Sequence, residues 1–231
     1  MAADLQMEFV IPVKGSLLDE YLAKGWYRMG AYIFTTHVLR PDDNKGYPVY
    51  WLRYSVPQVR MAKKSLDIIK GCAGFSVRFS QFRYTAELEE LYARYHASIN
   101  FSASETLEHV LSDVNRVVYD SWLIEIRDNG RLIAAGVFDR GKHAIAGIVN
   151  FYDPDYKKYS LGKLLVLLKY QYCMHSHIPW YYPGYYSPEY PKFNYKLFLD
   201  KQATEVYLPA TDEWVAYGAF IAHHLPASPT P

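Results

Sequence analysis

Residues 117 to 186 carry the pattern that most restricts what this chain can fold into. Three strand-like runs, Val117 to Arg127, Leu132 to Phe138 and Ala144 to Tyr152, are separated by Asp128-Asn129-Gly130 and by Asp139-Arg140-Gly141. An Asp-x-Gly step between apolar alternations signals a hairpin, because the tight turn needs residues that tolerate positive φ, so the three runs predict an antiparallel meander. Ser160-Leu161-Gly162 then opens a helix rich in Leu and Lys that runs to about His175, and Ile178 to Tyr186 returns as a strand. Strand, helix, strand in this order predicts a parallel crossover.

The preceding residues read as smaller alternating elements. Leu17 to Lys24 is a short helix closed by Gly25, and Trp26 to Leu39 and Tyr47 to Val56 are strands around the turn-rich Pro41 to Gly46. Val59 to Lys70 has Val59, Leu66 and Ile69 near helical spacing, with Arg60, Lys63 and Lys64 on another side and Gly71 at its end. Phe75 to Tyr84 alternates as a half-buried strand. Thr85 caps a helix through Tyr95, and Ser102 with Glu105 makes a capping box for a second helix, Thr106 to Val114. The expected fold is α+β: a domain over 116–225 with a mixed sheet and flanking helices, preceded by a smaller α+β lobe over 1–115. The Pro-rich tail, 226–231, reads as disordered.

Composition narrows the class without naming it. Half of the residues are hydrophobic, yet no apolar run approaches the roughly 20 residues of a membrane span, and the start MAADLQMEF lacks a signal peptide's regions. The expectation is a cytoplasmic protein with no membrane partner. Cys72 and Cys173 stand far apart without partners at metal-ligand spacing, so buried free thiols are expected, with no metal and no cofactor. His175 and His177 near Cys173 fall at a helix end, where histidine complements the dipole. Lys and Arg total 25 against 24 Asp and Glu, but the distribution is uneven. Arg53 to Arg83 holds seven basic residues and one acid, whereas Tyr84 to Asp139 holds ten acids and four basic residues. A basic and an acidic face are expected, and either can be no more than a solvated surface.

Several rarer residue types then fall in register. Asn150-Phe151-Tyr152-Asp153-Pro154 with Tyr159-Ser160-Leu161-Gly162 resembles the F-x-D-P and S-L-G pair of the arginyl-tRNA:protein transferases and their bacterial leucyl-transferring relatives. Tyr182-Pro183-Gly184-Tyr185-Tyr186 followed by Pro191-Lys192-Phe193-Asn194-Tyr195-Lys196 resembles that family's Y-x-G-Y/F-Y/W and P-K-M-x-Y-K blocks. The likeness covers roughly Val117 to Leu199, with a weaker echo of a basic helix start around Arg60 to Ser65. The meander, glycine-started helix and return strand are also similar to the GNAT ground plan. Where the family carries a cysteine cluster, Tyr32 to Tyr50 contains no cysteine, so an iron-sulfur or haem role does not carry over.

The resemblance implies an aminoacyltransferase that moves an amino acid, Arg or Leu by family analogy, from aminoacyl-tRNA to a protein, peptide or small-molecule amine. An aminoacyl ester is already activated and an α-amino group titrates near 7.7 to 8.0, so positioning can do most of the work. The catalytic candidates are Asp153, Ser160 and Tyr185. Asp153 would bind the ammonium or relay its proton, or else cap a turn. Ser160 and Gly162 would present helix N–H groups to an oxyanion or phosphate, and Ser160 equally reads as an N-cap. Tyr182, Tyr185 and Tyr186, with Gly184, Lys192, Tyr195 and Lys196, would form the wall that holds adenosine, amino acid and acceptor-end phosphates. Arg60, Lys63 and Lys64 are the candidate tRNA contacts. The alternatives are an acetyl-CoA-dependent GNAT acyltransferase, against which Leu164 stands where a small residue wraps the pyrophosphate, and a non-catalytic tRNA-binding protein.

Overall fold

A computed structural model describes residues 5–40, 45–100, 103–112 and 116–224. In chain order the elements are β1 (Leu5–Glu8), α1 (Ser16–Ala23), β2 (Tyr27–Met29), β3 (Tyr32–Thr36), β4 (Val38–Leu39), β5 (Tyr47–Pro48), β6 (Tyr50–Ser55), α2 (Lys63–Gly71) and β7 (Ser76–Gln81). There follow α3 (Ala86–Ser98), α4 (Leu107–Leu111), β8 (Ser121–Asp128), β9 (Arg131–Arg140), β10 (Ala144–Tyr152), α5 (Leu161–His175), β11 (Trp180–Tyr186), β12 (Thr204–Leu208), β13 (Glu213–Ala216) and α6 (Tyr217–His224).

The expected meander is present. Asn129 and Gly130 adopt φ of 47° and 88°, the left-handed pair that a two-residue hairpin needs, and Asp128 faces Arg131 across β8 and β9. The second turn falls later than the Asp139-Arg140-Gly141 signal suggests. β9 continues through Arg140, and the turn beyond it is held by Asp19, whose carboxylate accepts from the Lys142 and His143 amides at 3.1 and 2.8 Å. α5 then crosses to β11, which pairs parallel to β10.

These strands join an eight-stranded mixed sheet in the order β13-β12-β6-β11-β10-β9-β8-β7. All its other pairings are antiparallel. Residues 1–115 supply two of its strands: β6 lies between β11 and β12, and β7 forms one edge. Successive side chains of a strand face opposite sides of a sheet, and the helices use both sides. α5 packs with Ile124, Ile126, Phe138 and Ile145, whereas α3 and α4 pack with Leu123, Ala135, Val137 and Phe151. α5 is buried along most of its length, because α2 packs against it as well as the strands of the sheet.

Local differences from the expected elements have clear causes. α2 starts at Lys63 rather than Val59, because Val56–Gln58 forms a 3-10 turn and the Arg60 amide donates to Asp200 at 2.8 Å. β7 is an exposed edge and not half-buried, although Phe79 stacks on Tyr172 at 5.8 Å. Thr85 caps α3 by accepting from the Leu88 amide. α4 is capped by Thr106, which accepts from the His109 amide, while Glu89 accepts from the Leu107 and Glu108 amides. Ser102 and Val114 of the expected capped helix lie outside the described residues, as do Pro41 to Asn44 and the tail from Leu225. Cys72 and Cys173 are both buried and unbridged, and burial pushes both thiols up from their ordinary range. Among the described residues no helix is long and apolar enough to cross a membrane.

Candidate active site

The parallel pair β10 and β11 stays in register only from Ala144–Ala146 against Trp180–Tyr182. Beyond it each strand is irregular, β10 between Gly147 and Val149 and β11 between Tyr181 and Gly184. Backbone polar groups freed in this way need new partners. Tyr27, from β2, supplies one: its hydroxyl donates between the Gly147 carbonyl at 2.6 Å and the Tyr182 carbonyl at 3.0 Å.

A cavity of about 890 Å³ opens at this point, with Gly147 to Asn150 on one side and Pro183 to Tyr185 on the other. The N-terminal turn of α5 enters it through Ser160, Gly162 and Lys163, and a 3-10 turn over Pro191–Leu197 closes a further wall. Its described lining includes Arg28, Arg40, Lys157, Lys163, Lys169, Lys192 and Lys196, and no aspartate or glutamate. Aromatic rings fill much of the rest, among them Trp51, Tyr95, Tyr152, Tyr185, Phe193 and Tyr195. Such a surface suits a polyanion with stacking bases.

Two lysines have unusual settings. Lys169 is 1% exposed, its Nζ donates to Asn150 Oδ1 at 2.7 Å, and burial brings its pKa down to about 7 against the attraction of Asp139. Lys196 is half-buried, with Nζ 4.6 Å from the Tyr185 ring centre and 4.8 Å from that of Phe193. Desolvation there, with the charge of Lys192, brings its pKa down to about 7. A lysine at that value supplies both a proton acceptor and a proton donor near neutral pH. Tyr195 beside it is pushed up to about 12, first by desolvation and then by its neighbours Tyr95 and Tyr185, and stays a neutral hydrogen-bonding group.

The residues singled out from the sequence divide between this cavity and its surroundings. Ser160, Gly162, Gly184, Tyr185, Lys192, Tyr195 and Lys196 come together in the cavity lining. Ser160 is the N-cap of α5 with φ 55° and makes no side-chain cap bond, so the helix-start reading holds while its hydroxyl is not spent on the helix. Asp153 does not line the cavity. Its carboxylate accepts from the Asp155 amide at 3.1 Å and from Arg131 at 2.5 Å, with Arg94 at 3.6 Å, which is the geometry of a turn cap in an ion-pair cluster.

Tyr182 and Tyr186 also lie away from the lining. Tyr182 packs edge-on against Trp214 at 5.5 Å and Tyr186 against Tyr217 at 5.9 Å, and the irregularity of β11 between Tyr181 and Gly184 breaks simple alternation along this strand. Arg60, Lys63 and Lys64 are exposed outside the cavity, the two lysines at the start of α2. Residues not anticipated include Lys169, Asn150, Lys157, Lys163 and Tyr27. A signal existed for two of them: Asn150 begins the Asn-Phe-Tyr-Asp-Pro motif, and Lys169 stands seven residues after Gly162, on the same helix face.

A family model described as "Arginine-tRNA-protein transferase, C terminus" matches residues 87–204. The aspartate/glutamate leucyltransferase of Methylobacillus flagellatus is 25% identical over 197 residues, covering 84% of this chain and 79% of that protein. Arginyl-tRNA--protein transferase 1 of Saccharomyces cerevisiae is 38% identical over 77 residues, 33% of this chain and 15% of that protein. Among solved structures, the crystal structure of FemX superposes with a TM-score of 0.51 at 9% identity, covering 88% of this chain and 70% of that one, a likeness of fold.

Proposed function

The chain belongs to the arginine-tRNA-protein transferase family, and on that premise we propose that it transfers an amino acid from aminoacyl-tRNA to the amino group of a protein, peptide or small-molecule acceptor. The observation that carries this reading is the cavity at the start of α5, with seven cationic residues, an aromatic wall and no carboxylate in its described lining. Phosphate is drawn to such a surface, and aromatic side chains stack on bases whatever their sequence.

In this reading Lys157, Lys163 and Lys192 meet the phosphates of the acceptor end, and Tyr185, Phe193 and Tyr195 hold the terminal adenosine. The α5 amides near Ser160 and Gly162 stabilise the oxyanion that forms when the acceptor nitrogen attacks the ester carbonyl. The new bond is the amide C–N bond, and the bond that breaks joins the carbonyl carbon to the ribose oxygen. Lys196, titrating at about 7, takes the proton from the attacking amine and returns one to the ribose oxygen, so no net proton is lost. Asp153 fixes the turn that leads into α5. Arg60, Lys63 and Lys64 extend the contact with tRNA outside the cavity. Arg40, Trp51, Tyr92 and Tyr95, which line the cavity from residues 1–115, support an acceptor- and tRNA-binding role for that part of the chain. The reaction requires a compartment where charged tRNA is made and used, and the cytoplasm is the one we propose.

The test is transfer itself. Each labelled aminoacyl-tRNA is offered with peptides of varied N-terminus, and label passing to an acceptor supports the reading, whereas failure of every donor sinks it.

A further inference from the structure

The floor of the cavity holds a cation that the protein only partly satisfies. Lys169 is 1% exposed, and an ammonium carries three donors, of which Asn150 Oδ1 accepts one at 2.7 Å. Asp139, the acid that acts on it, is itself held by Arg28 at 2.8 Å and Ser121 at 2.6 Å. The space is shaped around this pair: a Cβ on Gly136 would stand 2.9 Å from Asn150 Oδ1 and 3.5 Å from Lys169 Cε. No aspartate or glutamate lies in the described lining.

Position adds a direction. Gly162, Val166 and Lys169 line the cavity at i, i+4 and i+7 on one face of α5. Long side chains on a helix lean toward its N-terminus, so the Lys169 ammonium lies on the path from the start of α5 inward. The reaction proposed above puts the ester carbonyl at that helix start, and the side chain of the aminoacyl group then runs down the same face.

Resting on that reading, we propose that the amino acid transferred has a carboxylate side chain, aspartyl or glutamyl, held at the cavity floor by Lys169 and Asn150. The carboxylate takes a proton-bearing face of the ammonium and the Asn150 side-chain N–H, and it is unchanged by the transfer. An arginyl side chain would bring a guanidinium beside Lys169 with no acid in the described lining to pair it, and a leucyl side chain would leave buried N–H groups against methyls. This carboxylate belongs to the donated residue and not to the acceptor.

The experiment uses the full chain and one tRNA body acylated in turn with Asp, Glu, Asn, Gln, Leu or Arg, so that only the amino acid varies. Binding is measured against the uncharged tRNA, and transfer is measured to a set of peptides with varied N-termini. The expected result is that the Asp or Glu ester binds at least about ten-fold tighter than its amide counterpart, the least that a lost charge-assisted hydrogen bond costs. Lys169→Met, which keeps an unbranched chain in the same space, should erase that preference at an otherwise measurable affinity. Should the variant not fold, Asn150→Ser is read in its place, with a reduced preference expected. Equal binding of all six esters to the wild-type chain, or a preference for Arg or Leu, overturns the inference while transfer to any peptide leaves the reaction standing. A requirement for an acidic acceptor without donor preference overturns it equally. Absence of both donor binding and transfer overturns the inference and the reaction together.

Discussion

A Cβ on Gly184 would lie 3.0 Å from Lys196 Nζ, so the ammonium occupies space that a glycine alone leaves open. Gly184 also holds φ at +97°, a conformation that costs an L side chain strain of about 1 to 3 kcal/mol. Gly184→Ala is therefore expected to lose stability of that order and to move Lys196 away from the Tyr185 and Phe193 rings. Transfer should fall further than the melting temperature explains, which single-turnover rates on folded protein would reveal.

The two low-pKa lysines give a pH dependence with a definite sign. Lys169 and Lys196 titrate near 7 in the folded chain, below the lysine value of about 10.4 expected on unfolding. Between those values the unfolded state binds more protons, so stability rises with pH. The melting temperature should climb from about pH 6.5 to 9, and Lys169→Met should flatten the climb. In the proposed reaction the transfer rate also rises through about pH 7 as Lys196 loses its proton, and Lys196→Arg should remove that rise.

Two sets of cations separate the cavity mouth from the outer surface. Replacing Lys157, Lys163 and Lys192, or Arg60, Lys63 and Lys64, should flatten the log-log salt dependence of tRNA binding by about two to three units per set, at roughly 0.7 to 0.9 for each phosphate no longer neutralised. An unchanged slope in the second set would return those residues to a solvated face.

Asp153 separates a structural from a chemical role. Its buried carboxylate serves Arg131, Arg94 and the Asp155 amide, and removing the charge should lower stability by about 1 to 3 kcal/mol, the usual cost of losing a hydrogen-bonded charge. Asp153→Asn protein that remains folded should transfer within a few-fold of wild type. A drop of about a hundred-fold or more at unchanged stability would give the carboxylate a place in the chemistry.

Much of the fold was legible because the deciding signals were local. Asn129-Gly130 sets the first hairpin, Thr85 starts α3, and Ser160-Leu161-Gly162 starts α5. Pairing between distant segments carries no such signal: nothing local tells Tyr50–Ser55 to enter between β11 and β12. The site follows the same division. Gly184, Tyr185, Tyr195 and Lys196 belong to motifs that could be read, and they meet in the cavity. Tyr182 and Tyr186 share those motifs but lie outside the lining, packed against Trp214 and Tyr217, since motif spacing does not show where a bulge such as that between Tyr181 and Gly184 redirects a strand's side chains. Lys169 was hidden in a run of Leu and Val, where its burial is set by neighbours from β9 and β10.

The chemistry of the product tests aminoacyl transfer most directly. The chain is incubated with each labelled aminoacyl-tRNA and amine acceptors, and the products are treated with mild alkali, which cleaves an aminoacyl ester and spares an amide. The predicted result is alkali-stable label on an acceptor from at least one donor, lost when Lys196 is replaced by Met in a folded protein. No alkali-stable label from any aminoacyl-tRNA, with acyl transfer from a CoA thioester instead, would contradict it.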